Sequence, residues 1–140
     1  TFIVNSQIYT REFNSTDYNG FDITFMNMKE AKEMDPNFNL GGDGRILRDK
    51  TGSDICVTLG DKGAIFFNKE GKFTQKSFSF NVVDTCGAGD SFLSAFSLSN
   101  FKSNPNISLI IANIWAGLST QNPGTKVPKI DELKNYINNL

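Results

Sequence analysis

Short apolar runs rich in β-forming residues punctuate the first half of the chain: Phe2 to Val4, Phe21 to Met26, Ile55 to Leu59 and Ala64 to Phe67. Continuous apolar runs of this length, bounded by turn residues, predict strands buried in a sheet. Gly60-Asp61-Lys62-Gly63, between the last two, predicts a hairpin-like turn. From Lys72 to Phe80 the phenylalanines alternate loosely with polar residues, as in a half-exposed strand. Helical spacing follows Asn27 (Met28 to about Met34) and Gly89 (Ser91 to about Asn100), and covers Ile107 to about Ser119 and Asp131 to Leu140. The stretch Asp35 to Ser53, with Pro36 and Gly41-Gly42-Asp43-Gly44, reads as loop with one helical turn around Ile46 to Asp49. Strands first, then strands alternating with helices, predict a layered α/β fold, and the length predicts one domain over residues 1–140.

Charge and composition act by exclusion. Fourteen basic residues against fifteen acidic ones leave a net charge of -1, which gives no electrostatic grip on nucleic acid or a membrane surface; the expected partner is a small molecule. No apolar run approaches the roughly 20 residues that span a bilayer, and the N-terminus lacks a secretory pattern, so the expected location is cytoplasmic. Cys56 and Cys86 have no disulfide-framework spacing, which fits a reducing compartment. The chain has no histidine, so acid–base chemistry falls to Asp, Glu, Lys, Tyr or Cys. It opens on Thr1 and an already strand-like Phe2-Ile3-Val4-Asn5, without an initiator methionine, as a fragment would.

Candidate chemistry centres on Asp84-Thr85-Cys86-Gly87-Ala88-Gly89-Asp90. Val82-Val83 closes an extended stretch, the glycine-rich run supplies a turn, and Asp90-Ser91-Phe92 opens an amphipathic helix. Small residues at 87 to 89 let the backbone approach a ligand closely, and the unpaired amides of a helix start attract phosphate oxygens. An acid at the end of that loop repels the same anion, which makes sense for a general base that takes the proton of an attacking hydroxyl in phosphoryl transfer. The other reading is a first-turn acid on the helix dipole beside glycines that merely close a turn. No Gly-Lys-Ser/Thr follows, as in a P-loop, and a helix opening on an acid is not a dinucleotide fingerprint.

The run Asp84 to Ser97 resembles, in spacing and residue classes, the C-terminal signature of the ribokinase (PfkB) family of carbohydrate kinases. The resemblance implies a ribokinase-like α/β fold, a Rossmann-like layered sheet with flanking helices, of which this chain is the C-terminal, nucleotide-binding and catalytic half. It implies ATP-dependent phosphoryl transfer to a hydroxyl of a sugar or sugar phosphate, with Asp90 as the base and the amides of Gly87, Ala88 and Gly89 as the anion hole. Asn27-Met28-Lys29-Glu30 reads structurally as a capping box. It is also similar to the family's Asn-x-x-Glu motif, in which the Glu organises Mg²⁺ and its water. Thr58, Gly60 and Gly63 resemble the strand-end turn that lies against the nucleotide, and Asn113 matches an Asn near adenine, though it reads equally as a polar residue on a helix face. Asp84 with Cys86, and Ser119, Asn122 and Gly124, stand where relatives bind a monovalent cation, here K⁺.

In the opening third, Asn5-Ser6-Gln7, Phe13-Asn14 and Tyr18 before Phe21-Asp22-Ile23 look similar to heptose-phosphate kinases. The half of the family that carries the sugar-contacting glycines and the lid is expected to be missing, supplied by a preceding segment or by a homo-oligomer, so the isolated chain is expected to be inactive. The alternative reading is a nucleotide-binding or regulatory module without its own acceptor site.

Overall fold

The computed structural model describes residues 1–5, 18 and 20–140; Ser6, Gln7, Phe13 and Asn14 of the heptose-kinase likeness lie outside the described residues. The described residues form two compact units, Thr1–Gly60 with Ala64–Thr74, and Asp61–Gly63 with Gln75–Leu140.

The first unit is built on the apolar runs. Strands β1 (Ile3–Asn5), β2 (Ile23–Asn27), β3 (Asp54–Thr58), β4 (Ala64–Asn68) and β5 (Gly71–Gln75) lie in one sheet in that order. β1, β2 and β3 run parallel, and β4 returns antiparallel to β3 across a 3₁₀ turn at Gly60–Lys62, as the turn residues predict. The register aligns Met26 with Val57 and Val57 with Ile65, so one face presents Met26, Ile55, Val57, Ile65 and Phe67. Helices α1 (Met28–Met34) and α2 (Arg45–Thr51) bring Ala31, Met34 and Leu47 to that face to complete a core. The opposite face, with Ile23, Phe25, Cys56 and Phe66, is buried too, which explains the continuous rather than alternating apolar runs.

The second unit is helical. α3 (Ala88–Leu98) packs on α4 (Pro105–Ser119), and a row of stacked rings runs along α3 into the loop that follows it, Phe92 on Phe96 at 6.0 Å and Phe96 on Phe101 at 5.3 Å. Pro105 takes the first turn of α4, where its missing N–H is no loss. α5 (Ile130–Asn138) places Tyr136 in a 4.8 Å stack with Phe80, and the same ring leaves no room for a side chain at Gly117 of α4.

Three elements differ from the sequence expectation. α3 begins at Ala88, three residues early, because Gly87 adopts φ +76° and serves as the N-cap; Asp90 is therefore the third helical residue rather than the one that opens the helix. α2 has seven residues where one turn was expected, since its ends are formed by left-handed Gly44 and Gly52 rather than by a side-chain cap. Residues 76–83 form no strand: β5 ends at Gln75, and Phe78 and Phe80 are held by Tyr136 instead of by a ladder. The glycine loop is thus entered from irregular backbone, with Val82 and Val83 exposed.

Candidate active site

In the first unit the parallel register sets Asn27 beside Thr58, at the carboxyl ends of β2 and β3. Ligands of open α/β sheets bind outside those ends. Gly60 lies two residues beyond Thr58, at φ +62°, with no atom within 4 Å of where a Cβ would stand. Glu30 belongs to the same edge through the capping box: the Asn27 amide donates to Glu30 Oε2 at 2.7 Å, and Asn27 Oδ1 accepts the Glu30 amide at 3.0 Å. The capping reading is what the geometry contains. Asn27, Glu30, Thr58 and Gly60 are gathered on this edge.

Gly63, in the second unit, has a purely internal reason to be glycine. At φ +99°, a Cβ there would lie 2.0 Å from the Gln75 carbonyl oxygen and 2.7 Å from the Ser77 nitrogen. The close approach at this position is made by the protein's own backbone.

The glycine loop is tied at both ends. Asp84 Oδ1 accepts the Cys86 amide and Asp84 Oδ2 accepts the Gly124 amide, both at 2.9 Å. These two bonds, that from Cys86 the larger influence, hold the Asp84 carboxyl below the usual aspartate range. The Thr120 carbonyl accepts the amides of Val83 and Asp84, so the segment after α4 is strapped along the segment before α3. Asp84, Cys86 and Gly124, three of the residues assigned to a cation, are brought together by this strap, and Asn122 lies within it.

Beyond Gly87 the helix start is partly open. The Ala88 amide donates to Thr85 O at 3.2 Å and the Ser91 amide to Gly87 O at 2.9 Å, while the amides of Gly87, Gly89 and Asp90 have no partner among the described residues. Of the expected anion-hole amides, those of Gly87 and Gly89 are therefore unpaired and are joined by that of Asp90, while that of Ala88 is taken by the Thr85 carbonyl.

The Asp90 side chain does not act as a cap. Three helices carry an acid at their third position: Glu30, Asp90 and Glu132. Glu30 and Glu132 each turn back onto their own N-cap amide, at 2.7 and 2.6 Å. The exposed Asp90 carboxylate makes no hydrogen bond or ion pair among the described residues. It lines instead a cavity of about 240 Å³ whose wall includes Cys86, Ser94, Trp115, Thr125 and Lys126. Sequence reasoning missed Trp115, which α4 brings to the cavity, and Thr125 and Lys126, because only the strap at Asp84 reveals that the segment after α4 returns to the glycine loop.

Asn113 lies within α4, buried, with its side-chain amide donating to Leu109 O at 2.8 Å. That is the polar-residue-on-a-helix reading. Among the described residues no three of His, Cys, Asp and Glu gather into a metal cage. No helix among them is long and apolar enough to cross a membrane.

Comparison with known proteins gives this geometry relatives. The family model described as pfkB family carbohydrate kinase matches residues 18–132. A ribokinase of Lactococcus lactis is 36% identical over 118 residues, covering 81% of this chain and 38% of that protein. In three dimensions the chain resembles the ribokinase of Thermotoga maritima, with a TM-score of 0.79 and 25% identity over 97% of this chain and 48% of that one. It also resembles the Arabidopsis thaliana ribokinase solved with ribose and ATP, with a TM-score of 0.74 and 23% identity over 84% of this chain and 41% of that one. The chain thus spans less than half the length of each. The comparisons lend no support to the heptose-phosphate likeness in particular.

Proposed function

Because the chain belongs to the pfkB family of carbohydrate kinases and has the ribokinase-like α/β fold, we propose that it is the phosphate-binding and catalytic portion of an ATP-dependent kinase acting on a hydroxyl of a sugar or sugar phosphate. The observation that carries this reading is the Asp90 carboxylate, which alone among the three third-position acids makes no bond to its own helix and lines a cavity at the unpaired amides of Gly87, Gly89 and Asp90. Those amides would bind the oxygens of the transferred phosphoryl group. Asp90 would take the proton of the attacking hydroxyl, a task that needs position more than basicity.

ATP is the proposed donor, in keeping with the nucleotide held by the Arabidopsis ribokinase. Asn27, Thr58 and Gly60 are the proposed nucleotide contacts at the strand ends, with Asn113 as a further candidate. Mg²⁺ is ordinarily held by one or two carboxylates together with phosphates and waters. The donors present fit that pattern, with Glu30 as the carboxylate beside Asn27 and Thr58. When bound, the ion would neutralise charge on the phosphates. K⁺ is proposed at Asp84, each of whose oxygens accepts one amide and retains a lone pair.

The test is phosphorylation of a panel of pentoses, hexoses and sugar phosphates by the full-length gene product and its Asp90→Asn variant. Sugar-dependent ADP release that falls by roughly 10²-fold or more in Asp90→Asn, with nucleotide binding kept, is the expected result. Turnover in the variant within a few-fold of the parent would remove Asp90 as the base. Nucleotide binding without sugar-dependent turnover would favour a binding module instead.

A further inference from the structure

We infer that Lys126 is a phosphate ligand of the Asp90 cavity, delivering its ammonium to the terminal phosphate of a nucleotide seated on the α3 start; this inference rests on the proposed function of that site. Among the described residues lining the cavity, Lys126 is the one cation and Asp90 the one anion. A polyphosphate entering there meets the Asp90 carboxylate, and the partial charge of a helix start offsets only about half a unit of it. Lys126 supplies a full compensating charge on the same wall.

Two observations leave the Lys126 ammonium available for that role rather than held by the fold. Its ammonium rests on the side-chain oxygen of Asn122 at 3.2 Å, an exposed contact with a neutral amide. No ion pair joins Lys126 to Asp84 or Asp90 among the described residues. The base of the side chain is nevertheless fixed: the Lys126 amide donates to Gly124 O at 3.0 Å, and Gly124 is itself bonded to Asp84. A long, flexible ammonium on an anchored base, with a weak resting partner, exchanges readily onto a phosphate oxygen and forms a stronger, charge-assisted bond there.

The chain carries its own reporter, since its single tryptophan, Trp115, lines the same cavity. The experiment titrates this chain with inorganic tripolyphosphate and with MgATP, following Trp115 fluorescence, for the parent, Lys126→Met, Lys126→Arg and Lys69→Met. Lys69 lies in the exposed turn after β4 and controls for lost net charge. The expected result is an apparent Kd raised about tenfold in Lys126→Met for both probes, the scale of one charge-assisted hydrogen bond. Lys126→Arg should stay within about threefold of the parent, and Lys69→Met should not change. Parent-like binding by Lys126→Met, or an equal loss in Lys69→Met, overturns the assignment of Lys126 while leaving the phosphate site in place. Absence of saturable binding by the parent overturns the phosphate site and this inference together.

Discussion

Replacing Gly63 with alanine should destabilise the protein severely, whereas the same change at Gly60, three residues away, should be mild. At Gly63 the new methyl would lie 2.0 Å from the Gln75 carbonyl oxygen and 2.7 Å from the Ser77 nitrogen. Both are backbone atoms that cannot rotate aside, so the end of β5 must move by about 1 Å, an overpacking cost of about 1–3 kcal/mol. The left-handed φ of +99° adds roughly 1–2 kcal/mol for a residue with a Cβ. Together these cost about 3 kcal/mol or more. With the usual unfolding entropy per residue, that lowers the melting temperature of a chain of this length by about 10 °C. At Gly60 the φ of +62° carries the left-handed cost, but nothing lies within 4 Å of the new methyl, so the loss should be about 1 kcal/mol and about 3 °C. Thermal melts followed by circular dichroism measure both, and MgATP titration of Gly60→Ala reads the nucleotide contribution without the fold in question. A Gly63→Ala protein melting within about 3 °C of the parent, or a Gly60→Ala protein less stable than Gly63→Ala, would refute the reasoning.

Two further outcomes are expected. Cys86 is exposed on the wall of the Asp90 cavity, whereas Cys56 is fully buried in β3 and burial pushes its thiol well above the ordinary range, so iodoacetamide at pH 8 should label Cys86 alone in the folded chain, more slowly in the presence of tripolyphosphate; equal labelling of both thiols counts against the fold. The Asp84 carboxyl, held low by the amides of Cys86 and then Gly124, stabilises the strap fully above the ordinary aspartate value of about 4 and loses that contribution as the pH falls from there through its lowered folded value. Stability measured from pH 6 to pH 2 should therefore drop less steeply in Asp84→Asn than in the parent, and parallel profiles would show that the strap carries no pH dependence.

The elements that were legible in the sequence are those whose signal is local. The pair Asn27 and Glu30 marks the start of α1 at the residue found, and the apolar runs place β2, β3 and β4 to within two residues. The elements that were missed or misread take their form from backbone conformation or from distant partners. Gly44, Gly52 and Gly87 bound helices through left-handed φ angles, and a glycine in a sequence marks a turn as readily as a helix end. The phenylalanines at 78 and 80 resemble strand alternation because two rings spaced by two residues both reach Tyr136, more than fifty positions onward. At the candidate site, the run itself singled out Asp90 and Gly87, which line the cavity, while its wall at Thr125 and Lys126 was not legible, since the bond from Gly124 to Asp84 crosses 40 residues.

That same bond encloses α3 and α4 between its two ends, closing the helix pair into a ring of 40 residues. Closing so long a loop by one carboxylate would be entropically unfavourable in an unfolded chain. Packing α3 against α4 first brings the ends together, so the ring shuts only after the helical hairpin has formed. The strap is consequently completed late: during synthesis the second Asp84 oxygen stays without its partner until Gly124 has emerged behind α4. A chain ending between Thr120 and Gly124 would keep both helices and the Thr120 carbonyl's bonds to the Val83 and Asp84 amides, and would lack the tie from Asp84 to Gly124.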